Sequence, residues 1–287
     1  MIIESPGHRE VQVPVSPVVY LDHWALGDIS ENQTLTDHLT AALKSRNGTL
    51  ALSWLQLREF SKMTNEAQAR DAENLIKDIL PQIFFLEVHF DAVISREDEQ
   101  LACPHRDEDL FEEFIKSQPR PRNQLTVRNL FKVMQEDRQG AQRHAKLAGA
   151  IVDCINVMRS KLATKQGRKD RDSFIKSALL EFQPVIKHSQ GDWQIQRGTR
   201  FICYELIRSL FIDMQKTICQ NDVDDIFHAV VPVAYCDFVL LDGHWKTQVE
   251  RAHARLKKVV PSVSIARVFS RRANGLDQFL CELESGR

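Results

Sequence analysis

Four carboxylates in this sequence could act together on a divalent cation: Asp22, Glu59, Asp225 and Asp242. Carboxylates that converge repel one another, so a cluster of them persists when a cation neutralises it. A site of Asp and Glu without cysteine favours Mg²⁺ or Mn²⁺. One such ion can activate water, and a second about 4 Å away can stabilise the leaving oxygen of an in-line phosphoryl displacement.

Short apolar runs place three of these acids. Asp22 and Asp242 each end a run that is typical of a strand buried on both faces, and Glu59 lies on the helical turns after a third run. The three strand-like runs are residues 18–21, 238–241 and 50–54. Ligand sites in open α/β sheets form at the carboxyl ends of the strands, so parallel strands would bring these acids to one edge. A strand-terminal Asp is also a common helix N-cap, and a helical Glu is usually solvated. A purely structural role for each acid therefore stays open.

A helix is predicted to position the fourth acid. Asn221 and Asp222 are good N-caps, and the apolar residues after them recur at i, i+3 and i+4. Asp225 then lies in the first turn of a short helix. Pro232 is predicted to disrupt that helix before the next strand begins.

Residues beside the four acids are predicted to have other roles. Asp224 is predicted to be a solvated or dipole-favoured acid. Asp237, at the opposite end of its strand from Asp242, is predicted to be structural. His23 is predicted to point to the other side of an extended chain, and His228 to be a core or capping residue. Residues 244–246 are predicted to form a surface loop that could face a substrate.

The sequence resembles the PIN-domain nucleases, in particular their larger bacterial members. The runs that carry the resemblance are VVYLD, ALSWLQLREF and NDVDDIFHAVVPVAYCDFVLLD. It implies a three-layer α/β fold with a central parallel sheet of about four to five strands. It also implies metal-dependent hydrolysis of a phosphodiester, usually in RNA. Asp22 and Asp225 would then be direct metal ligands, and Glu59 and Asp242 would complete the ligand set or hold metal-bound water.

The middle of the chain is unmatched by this resemblance. No convincing strand pattern occurs between about residue 117 and residue 220. We therefore predict a single PIN-like domain over residues 1–287, with its core formed by residues 18–116 and 221–287 and a helical insertion at 117–220.

Charge is distributed unevenly along the chain, although the formal net charge is only −1. Residues 1–115 hold 9 Lys and Arg against 21 Asp and Glu, whereas residues 116–176 hold 15 against 5. The basic segment could bind nucleic-acid phosphates, or it could pair with the acidic part of the chain or with a partner protein. A polar loop in this segment supplies the predicted nucleic-acid contacts, Lys165, Arg168, Lys169 and Arg171.

Composition narrows the class of protein further. The chain has 287 residues, of which 43% are hydrophobic, enough for a sizeable core. No apolar run approaches the ~20 residues of a membrane span, and no secretory signal opens the chain. The six cysteines lack C-x-x-C spacing, which favours reduced core thiols over zinc or disulfides. These features predict a cytoplasmic protein without a membrane partner.

The predicted function is that of a metal-dependent endoribonuclease acting on RNA, with single-stranded DNA as another possible substrate. Two alternatives stay open at this stage. One is a catalytically silent PIN-like scaffold that binds RNA or protein. The other is a DNA-directed or structure-specific nuclease that uses the same metals. A homo-oligomer or a regulatory protein partner would fit either the prediction or its alternatives.

Overall fold

The computed structural model describes residues 12–62, 66–99, 105–117, 134, 136–180, 198–214, 217–259, 261 and 264–286. Its strands are β1 (Val18–Leu21), β2 (Thr49–Leu52), β3 (Ile83–Phe85), β4 (Phe238–Leu240) and β5 (Arg267–Phe269). The helices before the insertion are α1 (His23–Ser30), α2 (Gln33–Ser45), α3 (Trp54–Ser61), α4 (Glu66–Asp78), α5 (Phe90–Asp98) and α6 (Glu108–Ser117). Those that follow are α7 (Arg138–Leu162), α8 (Lys165–Lys169), α9 (Arg171–Leu180), α10 (Thr199–Ile212), α11 (Gln220–Tyr235), α12 (Gly243–Val259) and α13 (Gly275–Ser285).

The five strands form one parallel sheet in the order β3-β2-β1-β4-β5. Every residue of β1, β2, β3 and β4 is buried, as expected for a parallel sheet covered by helices on both faces. The predicted α/β class and the predicted number of strands are therefore confirmed. From β1 the chain moves outward through β2 and β3, and it returns to place β4 on the other side of β1. The strand order consequently reverses between β1 and β4, and ligands bind in the crevice at such a point in open α/β sheets.

The helices pack in two groups. In the first, α1 packs against α2 and α4, and α13 packs against α2. In the second, α10 and α11 pack along each other and contact α5, α12 and α7. Helices α7 and α10 of the predicted insertion thus pack directly on α11. None of the described helices combines the length and the apolar character that crossing a membrane would require.

Helix α11 differs from its prediction at both ends. It begins at Gln220, and Cys219 rather than Asn221 or Asp222 is the N-cap. The Asp222 carboxylate accepts a hydrogen bond from the backbone N–H of Cys219 at 2.9 Å, which is the reciprocal contact of a capping box. The helix also continues through Pro232 to Tyr235. Proline removes one backbone hydrogen bond, and the buried apolar residues on both sides of it offset that cost.

Several other strand and helix boundaries differ from the predicted ones. The second strand ends at Leu52, because the Ser53 hydroxyl accepts from the backbone N–H of Gln56 and starts α3 at Trp54. Residues 244–246 form the first turn of α12, not a surface loop, since Trp245 is buried against the core. Within the predicted helical insertion, α10 covers Thr199–Ile212, and residues 181–197 lie outside the described part of the chain.

Candidate active site

Asp22 and Asp242 flank the point where the strand order reverses. Asp22 follows β1 and donates its backbone N–H to Leu240 O in β4 at 3.0 Å, which fixes the two strand ends side by side. Both carboxylates are also N-caps. Asp22 Oδ1 accepts from His23 N at 2.7 Å, and Asp242 Oδ1 accepts from Trp245 N at 2.8 Å. The capping interpretation is therefore correct for both acids, and capping holds each carboxylate at the carboxyl edge of the sheet.

Asp22, His23 and Glu59 form a compact cluster. His23 Nδ1 lies 3.0 Å from Asp22 Oδ1 and 3.3 Å from Glu59 Oε2. One donor atom from each of the three residues lies within 4.8 Å of the others, a spacing that could hold a metal ion. The prediction that His23 points away from Asp22 is wrong. The chain does not stay extended after Asp22 but turns at once into α1, and this turn brings the imidazole back over the carboxylate.

Glu59 is oriented by a buried polar chain. His228 Nε2 lies 3.1 Å from Glu59 Oε2, and His228 Nδ1 lies 2.6 Å from the Tyr20 hydroxyl. That hydroxyl is 3.1 Å from Ser53 Oγ, so the chain runs from β1 through α11 to the site. Burial by itself would raise the pKa of Glu59, but the hydrogen bonds from His228 and His23 outweigh it and hold that pKa well below its usual range.

The same contacts act on the two histidines. Hydrogen bonds to Asp22 and Glu59 raise the pKa of His23 to about 10. Burial opposes protonation of His228, yet the adjoining Glu59 carboxylate raises its pKa above the ordinary value. The carboxylate cluster therefore attracts positive charge strongly, which is the electrostatic environment that a cation-binding site needs.

Asp225 belongs to the same charge cluster. It lies in the second turn of α11, because that helix begins five residues earlier than Asp225. Burial raises the pKa of Asp225 to about 6, and the charges of Asp242 and Asp22 act in the same direction. A hydrogen bond to Trp245 opposes this rise. Asp22 and Asp242 are thus near enough for their charges to act on Asp225, but among the described residues the compact group of possible ligands is Asp22, His23 and Glu59, without Asp225 or Asp242.

The residues of this site could hold a divalent cation. The donors are carboxylate oxygens and one imidazole nitrogen, and both kinds bind Mn²⁺ and related ions. A cavity of about 170 Å³ lies between the end of α10, the first turn of α11 and the start of α12, and none of the four acids lines it. It is lined by Ser209, Leu210, Asp213, Ile218, Asp222, His244 and Gln248.

Sequence reasoning did not assign His23 and His228 to the site. A usable signal existed for His228, which lies three residues after Asp225 and hence on the same face of α11. Its contact with Glu59 depends on α3, 169 positions away in the chain. For His23 the signal was its position directly after an Asp that caps a helix, which makes it the first residue of that helix.

Asp224, next to Asp225, belongs to a second polar chain and is not simply solvated as predicted. Its Oδ1 lies 2.8 Å from His144 Nε2 of α7, and His144 Nδ1 lies 3.3 Å from His89 Nε2. His89 Nδ1 in turn lies 2.9 Å from Glu87 Oε1. This chain connects the helical insertion to the core. Asp237, predicted to be structural, accepts from Val18 N at 2.7 Å, at the amino end of β1.

The four predicted nucleic-acid contacts do not lie in a loop. Thr164 Oγ1 accepts from the backbone N–H of Gly167 and starts the short helix α8, which carries Lys165, Arg168 and Lys169. Arg171 begins α9 and donates to Ile212 O of α10 at 2.8 Å. All four side chains are exposed. Helix α8 packs mainly against α7 and α9.

Comparisons with models of known protein families, with curated proteins and with solved structures found no match to this chain. The geometry of the site must therefore carry the functional argument.

Proposed function

We propose that this protein is a metal-dependent endoribonuclease of the PIN-like kind. The observation that supports the proposal most strongly is the grouping of Asp22, His23 and Glu59 at the end of β1, where the strand order reverses, with Asp225 and Asp242 close enough to interact electrostatically. A cluster of carboxylates at that place is costly without a cation, and the geometry of the cluster suits one. The resemblance of the sequence to PIN-domain nucleases gives the reaction class and the preference for RNA.

A bound divalent ion would supply an activated water and neutralise charge on a phosphodiester. Asp22, Asp225 and Glu59 would hold that ion. Asp242, held in place as the N-cap of α12, would complete the ligand set or hold metal-bound water. The Tyr20 hydroxyl and His228 fix the orientation of Glu59, so that carboxylate needs little reorganisation when it binds.

Protonation of Asp225 should control binding of the metal ion. A proton on its carboxyl competes with metal binding, and the pKa of Asp225 is raised to about 6. Metal binding is thus favoured as the pH rises through that value.

The decisive experiment is incubation of the purified chain with labelled RNA and labelled single-stranded DNA, in Mn²⁺, in Mg²⁺ and with a chelator. Internal cleavage of RNA that requires metal and stops on chelation is the expected result. Metal-dependent cleavage of DNA in preference to RNA would instead favour the DNA-directed alternative. Binding of RNA without cleavage under every condition would contradict the enzymatic proposal and favour a silent scaffold.

The exposed basic residues at α8 and the start of α9 are proposed to bind the RNA backbone. Neutralising phosphates releases counterions, so the affinity for single strands should fall with salt at a slope of about −0.7 per neutralised phosphate. Replacing the four predicted contacts with Gln should weaken RNA binding and make that slope shallower. The four residues replaced are Lys165, Arg168, Lys169 and Arg171.

Fluorescence anisotropy over a range of salt concentrations would measure both quantities in this quadruple variant. Cleavage at saturating RNA should persist, because the variant leaves the acids intact. A matched control replaces exposed basic residues at the far end of the chain, Lys257 and Lys258 of α12, and should alter neither affinity nor slope. An unchanged salt slope in the quadruple variant would show that α8 is not the RNA-binding surface.

A further inference from the structure

His23 occupies a position that an all-carboxylate metal site would leave to water or to another acid. Its Nδ1 lies 3.0 Å from Asp22 Oδ1 and 3.3 Å from Glu59 Oε2, so this one nitrogen is within reach of both carboxylates. We infer that His23 is itself a metal ligand and that it makes the site select Mn²⁺, Co²⁺ or Zn²⁺ over Mg²⁺. The incoming ion would replace the proton that Nδ1 shares with the two carboxylates, and that proton would be released to solvent. This inference rests on the proposed function only in taking the acid cluster as a metal site.

The preference follows from the chemistry of the donor atoms. Mg²⁺ is a small, hard cation that requires near-ideal octahedral oxygen coordination and gives up its waters reluctantly. Imidazole nitrogen suits later first-row divalent ions, for which affinity at a given site generally increases from Mn²⁺ towards Cu²⁺. Replacing one oxygen donor by Nδ1 of His23 therefore strengthens binding of transition metals much more than binding of Mg²⁺.

A purely structural role accounts less well for the position of His23. Its side chain is 52% exposed, and an ion pair with that much solvent contributes little to stability. Glu59 already has a better partner in His228, whose side chain is 2% exposed and is held from behind by Tyr20. Metal sites use such outer hydrogen bonds to orient a ligand. His228 thus orients Glu59, and His23 is left with Nδ1 directed at the space between two carboxylates.

The chain offers a matched control for this histidine. His38 Nδ1 lies 3.0 Å from Glu284 Oε1, and its side chain is 53% exposed. It therefore has the same kind of carboxylate partner and the same exposure as His23. The pair nonetheless lies outside the acid cluster, so His38→Asn removes an equivalent histidine without touching the site.

The test measures metal binding in the absence of nucleic acid, with the untagged full-length chain and Mn²⁺ or Mg²⁺ as the probe. Isothermal titration should show that His23→Asn weakens Mn²⁺ binding by at least about tenfold, the size expected when a group that tunes a metal site is lost. Mg²⁺ binding should change by less than about threefold, because the Asn side chain retains an oxygen donor. His23→Ala should show the same loss for Mn²⁺, and His38→Asn should behave as the wild type.

A spectroscopic measurement tests the ligand directly. Pulsed electron paramagnetic resonance of the Mn²⁺-loaded protein should show coupling to a nitrogen nucleus, and His23→Asn should abolish it. Equal weakening of Mn²⁺ and Mg²⁺ binding, or nitrogen coupling that survives in both His23 variants, would overturn the inference. Nitrogen-coupled Mn²⁺ in a protein that cleaves no RNA would instead refute the nuclease proposal and leave the assignment of His23 intact.

Discussion

Replacing Asp225 with Asn is expected to lower the rate of RNA cleavage by about a thousandfold or more while the protein stays folded. Asn keeps the shape of the side chain but removes the charge that binds a cation. Metal ions contribute several kcal/mol of transition-state stabilisation, and a thousandfold loss corresponds to about 4 kcal/mol. Asp22→Asn should have an effect of the same size. Its cap on α1 should survive, since Asn and Asp are equally good N-caps.

The stability of the metal-free Asp225→Asn protein should change in the opposite direction to its activity. The folded pKa of Asp225 is raised to about 6, above the unfolded value of about 3.9. Ionisation in the fold is therefore unfavourable, and wild-type stability falls as the pH rises from about 4 to about 6 and stays reduced above that. The Asn side chain does not ionise, so the variant lacks this free-energy cost. We expect its free energy of unfolding in chelator to exceed that of the wild type by about 1–3 kcal/mol at pH 8, and by much less at pH 4.

Asp224→Asn is the matched control for these variants. Asp224 adjoins Asp225 on α11, but its carboxylate contacts His144 and lies in the second polar chain. An Asn oxygen can still accept from His144, so the rate of RNA cleavage should stay within about threefold of wild type, inside the ordinary scatter of a substitution away from the reacting groups. Wild-type cleavage rates in Asp22→Asn and Asp225→Asn, or an equal loss in Asp224→Asn, would refute the assigned site.

Replacing Phe227 with Ala should cost about 3–5 kcal/mol of the free energy of unfolding, which is the usual range for a buried Phe. The Phe227 side chain is fully buried on α11 and stacks on Phe90 of α5 with ring centroids 4.9 Å apart. The rings of His89 and His144 meet it at 5.4 and 5.2 Å. Truncation therefore leaves a cavity at the junction of α5, α7 and α11, where few side chains can move in to fill it.

Urea unfolding followed by circular dichroism would measure this loss. Phe227→Leu is the control, because it keeps most of the buried volume and should cost clearly less than the Ala variant. A second comparison is Phe174→Ala in α9, where the side chain is only partly buried and the loss should be smaller. A cost below about 1 kcal/mol for Phe227→Ala would show that α11 is not anchored through this ring.

Local sequence determined the scaffold of the site. Apolar runs of three or four residues bounded by polar residues predict buried strands, and a strand that ends on an acid places that acid at the sheet edge whatever the rest of the chain does. Asp22 and Asp242 were placed by this rule alone. The parallel order of the strands also followed, because helical segments separate them and parallel strands need such crossovers.

Predictions from local sequence were wrong where two conformations of the same segment have similar free energies. Pro232 weakens a helix but does not end it when both of its flanks are buried, and burial is a property of the whole fold. The basic run at α8 lacks apolar periodicity, so it was predicted to be a loop. A cap from Thr164 and packing against α7 and α9 make it helical. In each case the deciding free energy comes from contacts that local sequence does not contain.

Only the tertiary structure decided which side chains meet the four acids. Glu59 meets His228 across 169 positions, and Asp224 meets His144 across 80. The sequence determined which residues carry charge and on which elements they lie. The directions in which His23 and His228 point depend on how α1 and α11 are set against the sheet. That setting is fixed by packing the apolar faces of several helices at once, and it is why the two histidines beside Glu59 became visible only in the fold.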